Sequence, residues 1–506
     1  MLPARRTLLS ATSLILTLLL ASTSIVVALE PPNVKSKSIT VSIATPEVRA
    51  GVVEGGYDLI TIPGADLLMR PGYPILPFIT TTVRLPPDAE LISVEVTAEY
   101  EPLPGRYRIA PGPEPRPLGP PWLGDEGRLG GAPEPDPEVY SSSEFIPAEN
   151  FTYSLHFGLD VETMRDAAFL AVRLFPVKYA PALGEVRFAR EMRVSVTYRA
   201  GGGPAQAYGR SLVIVTSSAL QAAADDLAAA REAQGWSVNV TTTDAINASY
   251  TGSDLQEKIR KFIADKKAEG YAFFLILGDA DQVPARLAYI PDGYDDSDDP
   301  SYSGDGSYVE TDLYYADLDG TWDEDVDGKY GEVGEVDGFP DVIVGRLLAS
   351  SPTEAQGLVS KVVNYSPDAS WFYRFLLVGT VTFDDAMHPE GEYLNDVIEY
   401  EDLPDQYHWV KLYDQLDNLS TTTVQDEINR GYGFVNFAGH GNPGGWYSGP
   451  LYNYRTVYSS SLAATLSNSA SPAIVVTMAC TTARFADVDS IGEAFLTNPD
   501  GGGVAY

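Results

Sequence analysis

The chain has 506 residues, 44% of them hydrophobic, and a formal net charge of −36 from 70 acidic and 34 basic residues. That length supports about two to four domains with sizeable cores, and that apolar content excludes a disordered chain. The negative field excludes nucleic acid and anionic membrane surfaces as partners, and the single cysteine, Cys480, excludes an internal disulfide.

In chain order, Arg5 and Arg6, the apolar residues 8–20 and the small-residue site at Val26, Val27 and Ala28 predict a signal peptide over 1–28, hence a secreted or cell-surface protein. An uncleaved anchor is the rival reading, because the apolar stretch runs on to Leu29. Residues 30–205 predict a β-rich domain, with alternating runs at 38–43, 91–96 and 192–198, punctuated by Pro and Gly. Its segment 101–139 is rich in Pro, Gly and Glu and reads as a linker or exposed loop interrupting one sandwich. Gly201, Gly202, Gly203 and Pro204 mark the boundary.

From residue 210 the texture changes. Apolar strands at 211–216, 238–241, 272–277 and 341–346 alternate with helices at 219–234, 254–267 and 353–365, with Ser253 as N-cap of the second and Pro352 opening the third. An acidic loop, 292–337, interrupts them. The alternation restarts with strands at 375–378, 409–413, 433–438 and 473–479 and helices at 392–400, 423–430, 460–466 and 491–496. A last strand begins at Gly503, so the chain is expected to continue beyond 506. This pattern predicts an α/β fold, a mainly parallel sheet with flanking helices, in two halves, 210–365 and 373–506.

Two of the second half's strands end in chemistry. Residues 435–438 deliver Gly439, His440 and Gly441, and residues 473–479 deliver Cys480. Ligand sites in α/β sheets lie at the carboxyl ends of strands. Alone, the histidine reads as a turn residue and the cysteine as core. On neighbouring strands, about 4.8 Å apart, they supply a thiol nucleophile and its base. Gly441 offers an unobstructed amide for a developing oxyanion.

With Trp446 six residues past His440 and Ala479 before Cys480, the pattern resembles the gingipain-type cysteine endopeptidases of the caspase-like clan. The resemblance implies Cys480 as nucleophile, His440 as general base, the amides of Gly441 and Cys480 as oxyanion hole, Trp446 at the substrate pocket and 30–205 as a propeptide. It implies protein or peptide substrates and a caspase-like fold. Better-known members orient the histidine with a glutamate after the first strand of the second half. Here that stretch offers only Asp384 and Asp385, which are the stand-ins. Glu390 and Glu392 lie nearby, and cleavage specificity does not transfer.

The acidic loop holds Asp295, Asp296, Asp298 and Asp299, then Asp317, Asp319 and Gly320, then Asp323, Asp325, Asp327 and Gly328. Alternate carboxylates closed by glycine resemble the first half of an EF-hand loop, but its twelfth position is Gly334, flanked by Glu332 and Glu335. Structural Ca2+ on Asp317, Asp319, Asp323, Asp325 and Asp327 is the expectation. His156 and His408 read as ordinary surface or core residues, and His388 falls in the loop near the expected site as a candidate lining residue. The leading reading is a secreted cysteine endopeptidase precursor. The alternative is a calcium-binding cell-surface or adhesion protein with an inactive peptidase-like fold.

Overall fold

The structure is a computed structural model that describes residues 34–506 apart from 113–134, 201–207, 291–306, 383–389, 400–406, 450–454 and the single positions 54, 69, 333, 337 and 487. The signal segment, Asp295, Asp296, Asp298, Asp299, Asp384, Asp385 and His388 therefore lie outside the described residues.

Alternating β-branched and polar residues build the N-terminal region as two facing antiparallel sheets. One pairs Glu185–Arg199 with Val34–Ser42 and with Glu90–Leu103. The other runs in the order Asp66–Leu68, Leu76–Leu85, Arg165–Leu174, Phe151–Asp160. Both draw strands from each side of the proline-rich segment. Val83, Leu170, Val172, Met192, Val194 and Val196 meet between them in one apolar core.

Two separate parallel sheets follow, one per half. The first has the order Ser237–Thr242, Ser211–Thr216, Phe273–Leu277, Ile343–Leu347. Its two inner strands, Ser211–Thr216 and Phe273–Leu277, are largely apolar because helices cover both faces. Ile214 and Leu277 pack on Leu227 and Leu358 on one side, while Val215 and Ile276 pack with Ile259, Phe262 and Trp322 on the other. The second sheet has the order His408–Tyr413, Arg374–Gly379, Phe434–Ala438, Ala473–Met478, Gly503–Ala505. Lys361, on the helix Pro352–Asn364 of the first half, donates to the carbonyls of Leu496 at 2.6 Å and Gly501 at 2.9 Å. It thereby places a cation at the C-terminal end of the helix Ile491–Thr497 and ties the halves together.

Local signals misled in three places. The helix Leu255–Ala268 is capped by Asp254, whose carboxylate accepts from the Glu257 amide; Ser253 is held instead by the Glu257 carboxylate. A further helix, Thr243–Ser249, follows the strand at 237–242 directly, capped by Thr242. The acidic loop contains part of a hairpin, Arg286–Ile290 with Ser307–Thr311, and a helical turn, Leu313–Ala316, around buried Tyr314 and Tyr315.

The N-terminal region packs on the first half away from the strands' carboxyl ends. The Leu159 amide donates to the Pro340 carbonyl at 2.9 Å, and the His156 ring stacks on Phe339 at 4.1 Å. Leu159 buries against Phe273 and Ile343, which open their strands. Asp166 accepts from the Tyr208 hydroxyl at 2.9 Å and faces Lys267, whose ammonium is paired with Asp341 at 2.6 Å.

Candidate active site

The strands Phe434–Ala438 and Ala473–Met478 are direct parallel neighbours, with Ala438 opposite Met478. The Gly439 amide extends the ladder by donating to the Met478 carbonyl at 3.2 Å. His440 and Cys480 each stand two residues beyond that last pair, so the register brings them out of the sheet side by side. A Cβ on Gly441 would lie 2.8 Å from the Cys480 carbonyl oxygen and 2.5 Å from Thr482 Cγ2, so only glycine allows this approach of the two turns. Cys480 is exposed. Thr481 takes a left-handed φ of 51°, which is costly for a β-branched residue. The turn lifts the thiol out of the strand instead of letting it continue into the core.

His440 is oriented by the backbone. Its Nε2 lies 2.6 Å from the carbonyl oxygen of Thr382, at the carboxyl end of the neighbouring strand Arg374–Gly379. A carbonyl accepts only, so Nε2 carries the proton and donates. Thr382 is buried, and both its hydroxyl, at 2.5 Å, and its amide, at 3.4 Å, donate to one oxygen of Glu390. The preceding residue is also fixed: the Val381 amide donates to Asp414 at 3.4 Å, which is in turn held by Ser448 and Arg455. Among the described residues, an acceptor facing His440 is thus a peptide oxygen, for which residue identity carries no signature.

Trp446 does not line a pocket. It has no exposed surface, because its strand, Gly445–Ser448, turns the indole inward between Phe437 at 4.7 Å and Phe495 at 5.5 Å. Its indole N–H donates to the Tyr506 hydroxyl at 3.1 Å. That hydroxyl also interacts with Thr477 and Thr482, which flank Cys480 and meet each other at 3.0 Å. Trp446 is therefore a brace between the histidine hairpin and the cysteine turn, not a surface that a substrate would touch.

The chain leaving Cys480 is held from the other half. The buried carboxylate of Glu310 accepts from the amides of Phe485 at 2.9 Å and Ala486 at 3.1 Å. Further on, Ser490 and Glu493 form a capping box on the helix Ile491–Thr497. Burial, then the charges of Asp279 and Asp489, push the Glu493 carboxyl up to about 7 against the hydrogen bond from the Ser490 amide.

Two acidic groups converge in the loop: Asp323, Asp325 and Asp327, and Asp325, Glu332 and Glu335, each with ligand atoms within 4.8 Å of one another. Asp317 and Asp319 are outside both groups. Asp317 is buried, and the backbone carbonyls of both accept from Arg260. Glu332 and Glu335 replace them, brought in by the chain folding back across the loop. The donors are all carboxylate oxygens, which suit a hard cation, and one buried oxygen of Glu335 has no hydrogen-bond partner. Desolvation, then the negative charge of Asp327, raises the Glu332 pKa, a strain that a cation would relieve. These clusters fit a metal ion.

Residues 206–506 match the model of peptidase family C25, and residues 26–227 match the C25 propeptide model. The chain belongs to peptidase family C25, the gingipain-type cysteine peptidases. Lys-gingipain of Porphyromonas gingivalis is 25% identical over 225 residues, 42% of this chain, and Lys-gingipain W83 of the same organism is 24% identical over 280 residues, 54% of it. These matches span 11% and 14% of the relatives' own length. The crystal structure of the Arg-specific cysteine proteinase gingipain R aligns with a TM-score of 0.44 at 17% identity, covering 58% of this chain and 61% of that one. The complex of P. gingivalis gingipain pro- and mature domains aligns at 0.43 and 16%, covering 58% and 62%. Among the described residues no helix is long and apolar enough to cross a membrane.

Proposed function

We propose that the chain is a secreted cysteine endopeptidase precursor whose chemistry runs through Cys480 and His440. The observation that carries this reading is the register pairing Ala438 with Met478, which delivers both residues from adjacent strand ends, with Gly441 packed against the Cys480 backbone. Residues 30–205 act as propeptide, residues 210–365 and 373–506 as the two halves of the catalytic domain, and residues 1–28 as the export signal.

In this mechanism His440 takes the thiol proton on its second ring nitrogen while the Thr382 carbonyl holds Nε2–H and stabilises the imidazolium. The Cys480 sulfur attacks the scissile carbonyl carbon. A C–S bond forms, and the oxyanion is received by the amides of Gly441 and Cys480. The C–N bond breaks as His440 returns the proton to the leaving amine. Water, deprotonated by His440, then cleaves the thioester and releases the acid. Asp384 or Asp385 is the candidate side-chain orienter of His440. Calcium held by Asp323, Asp325, Asp327, Glu332 and Glu335 would stiffen the acidic loop of the first half.

The test is peptide hydrolysis by the processed protein with and without Cys480→Ala. Loss of hydrolysis is expected, and an undiminished rate in the variant would sink the assignment. An inert, calcium-binding adhesion protein is separated by iodoacetamide. Cys480 of a peptidase alkylates at neutral pH faster than an ordinary thiol, whereas an inert one does not.

A further inference from the structure

We infer that Glu390 is a positioning residue of the dyad, acting through Thr382. The inference rests on the Cys480–His440 reading and concerns what keeps His440 in place. One carboxylate oxygen of Glu390 takes the hydroxyl of Thr382 at 2.5 Å and its amide at 3.4 Å. With both donors of Thr382 gripped from one side, its carbonyl is the group left to face His440, at 2.6 Å. Glu390 opens the helix Glu390–Val397, and the next residues of that helix are buried: Gly391 and Glu392 pack against the sheet, with the Gly391 amide donating to the Thr380 carbonyl at 3.2 Å. A Cβ on Gly391 would lie 2.2 Å from the Ala438 carbonyl, so this helix start sits directly on the strand that delivers His440. Glu390 is thus tied to a rigid element and holds a residue that spans the gap to the imidazole.

The consequence is chemical. In the resting state the Thr382 carbonyl fixes the ring plane and the tautomer. Once His440 has taken the thiol proton, the same oxygen accepts from the cation. Releasing Thr382 removes a restraint that aims the ring at Cys480, which slows the chemical step without removing any substrate contact.

The experiment compares Glu390→Ala, Thr382→Val and Thr382→Ser in the processed full chain. It reads kcat and KM separately, together with the pH profile of Cys480 alkylation by iodoacetamide. Glu390→Ala and Thr382→Val are expected to lower kcat about 10- to 100-fold at nearly constant KM and to move the alkylation profile to higher pH. Thr382→Ser keeps hydroxyl, amide and carbonyl, and should behave as wild type. Thr382 is buried; if Thr382→Val fails to fold, Glu390→Ala alone decides, with Glu390→Gln, which retains an acceptor oxygen, as the rescue. A wild-type profile and kcat in Glu390→Ala overturn the inference, as does an effect confined to KM. A wild-type Cys480 that alkylates no faster than a free thiol overturns the peptidase reading and this inference with it.

Discussion

Replacing Gly441 by alanine isolates the approach of the histidine turn to the cysteine turn. The new Cβ would sit 2.5 Å from Thr482 Cγ2 and 2.8 Å from both Ala479 Cβ and the Cys480 carbonyl oxygen. Non-bonded carbons pack at about 3.5–4.0 Å, so the shortfall against the Thr482 methyl is about 1 Å. Gly441 is not among the residues of positive φ, so alanine meets no backbone penalty and the effect is steric alone. Overpacking of this kind costs about 1–3 kcal/mol, which leaves the protein folded. The cheapest relief is to move the two turns apart, and a displacement of about 1 Å at reacting groups costs about 100-fold in rate. We therefore expect kcat/KM on a fluorogenic peptide to fall about 100-fold while the melting temperature drops by only a few degrees. Gly444, in the same hairpin, is the control: its Cβ would meet only Asn442 Oδ1 at 3.2 Å and Tyr447 Oη at 3.6 Å. Equal activity of Gly441→Ala and Gly444→Ala would refute the reasoning.

Three further outcomes follow from the same structure. Glu493 has a folded pKa of about 7 against 4.5, so its contribution to stability is whole below about pH 4.5 and is lost as pH rises through 7, by about 3 kcal/mol in all. Glu493→Gln should remove that loss; denaturant melts at pH 5 and 8 that change in parallel for both proteins would contradict it. Gly158→Val places a Cβ 2.7 Å from the Pro340 carbonyl and should weaken the docking of the N-terminal region. After proteolysis of the 201–207 linker in a Cys480→Ala background, wild-type fragments should co-elute and the variant's should separate. Chelation should lower the melting temperature, and calcium should restore it, through Asp323, Asp325, Asp327, Glu332 and Glu335. An unchanged midpoint in Asp325→Asn, the residue shared by both groups, would remove the site.

The elements legible in the sequence were those with a long single-period signal. The strand Ser211–Thr216 and the helix Pro352–Asn364 could be read to within a residue because burial on both faces demands unbroken apolar runs, and an amphipathic stripe demands its period. Short strands lack that redundancy. His440–Asn442 and Gly445–Ser448 are three and four residues long and read as one Gly-rich turn, yet their antiparallel pairing directs Trp446 inward. An aromatic residue six positions past His440 invites a substrate-facing reading, but side-chain direction on a strand is set by register, which spacing from the histidine does not report. The proposed pair, His440 and Cys480, stands out in the sequence because both residues are chemically distinctive, whereas the groups around them do not. Thr382 acts through a carbonyl that any residue would provide, and what selects threonine there is its second role as donor to Glu390, eight residues away in sequence. Similarly, Glu332 and Glu335 join Asp325 because the chain turns back, a long-range event that a linear ligand pattern assigns to Asp317 and Asp319 instead. Groups that perform chemistry must be particular residue types and so leave a mark at their own position. Groups that hold them in place need only a donor or acceptor at the right point in space, and that requirement is written in the fold.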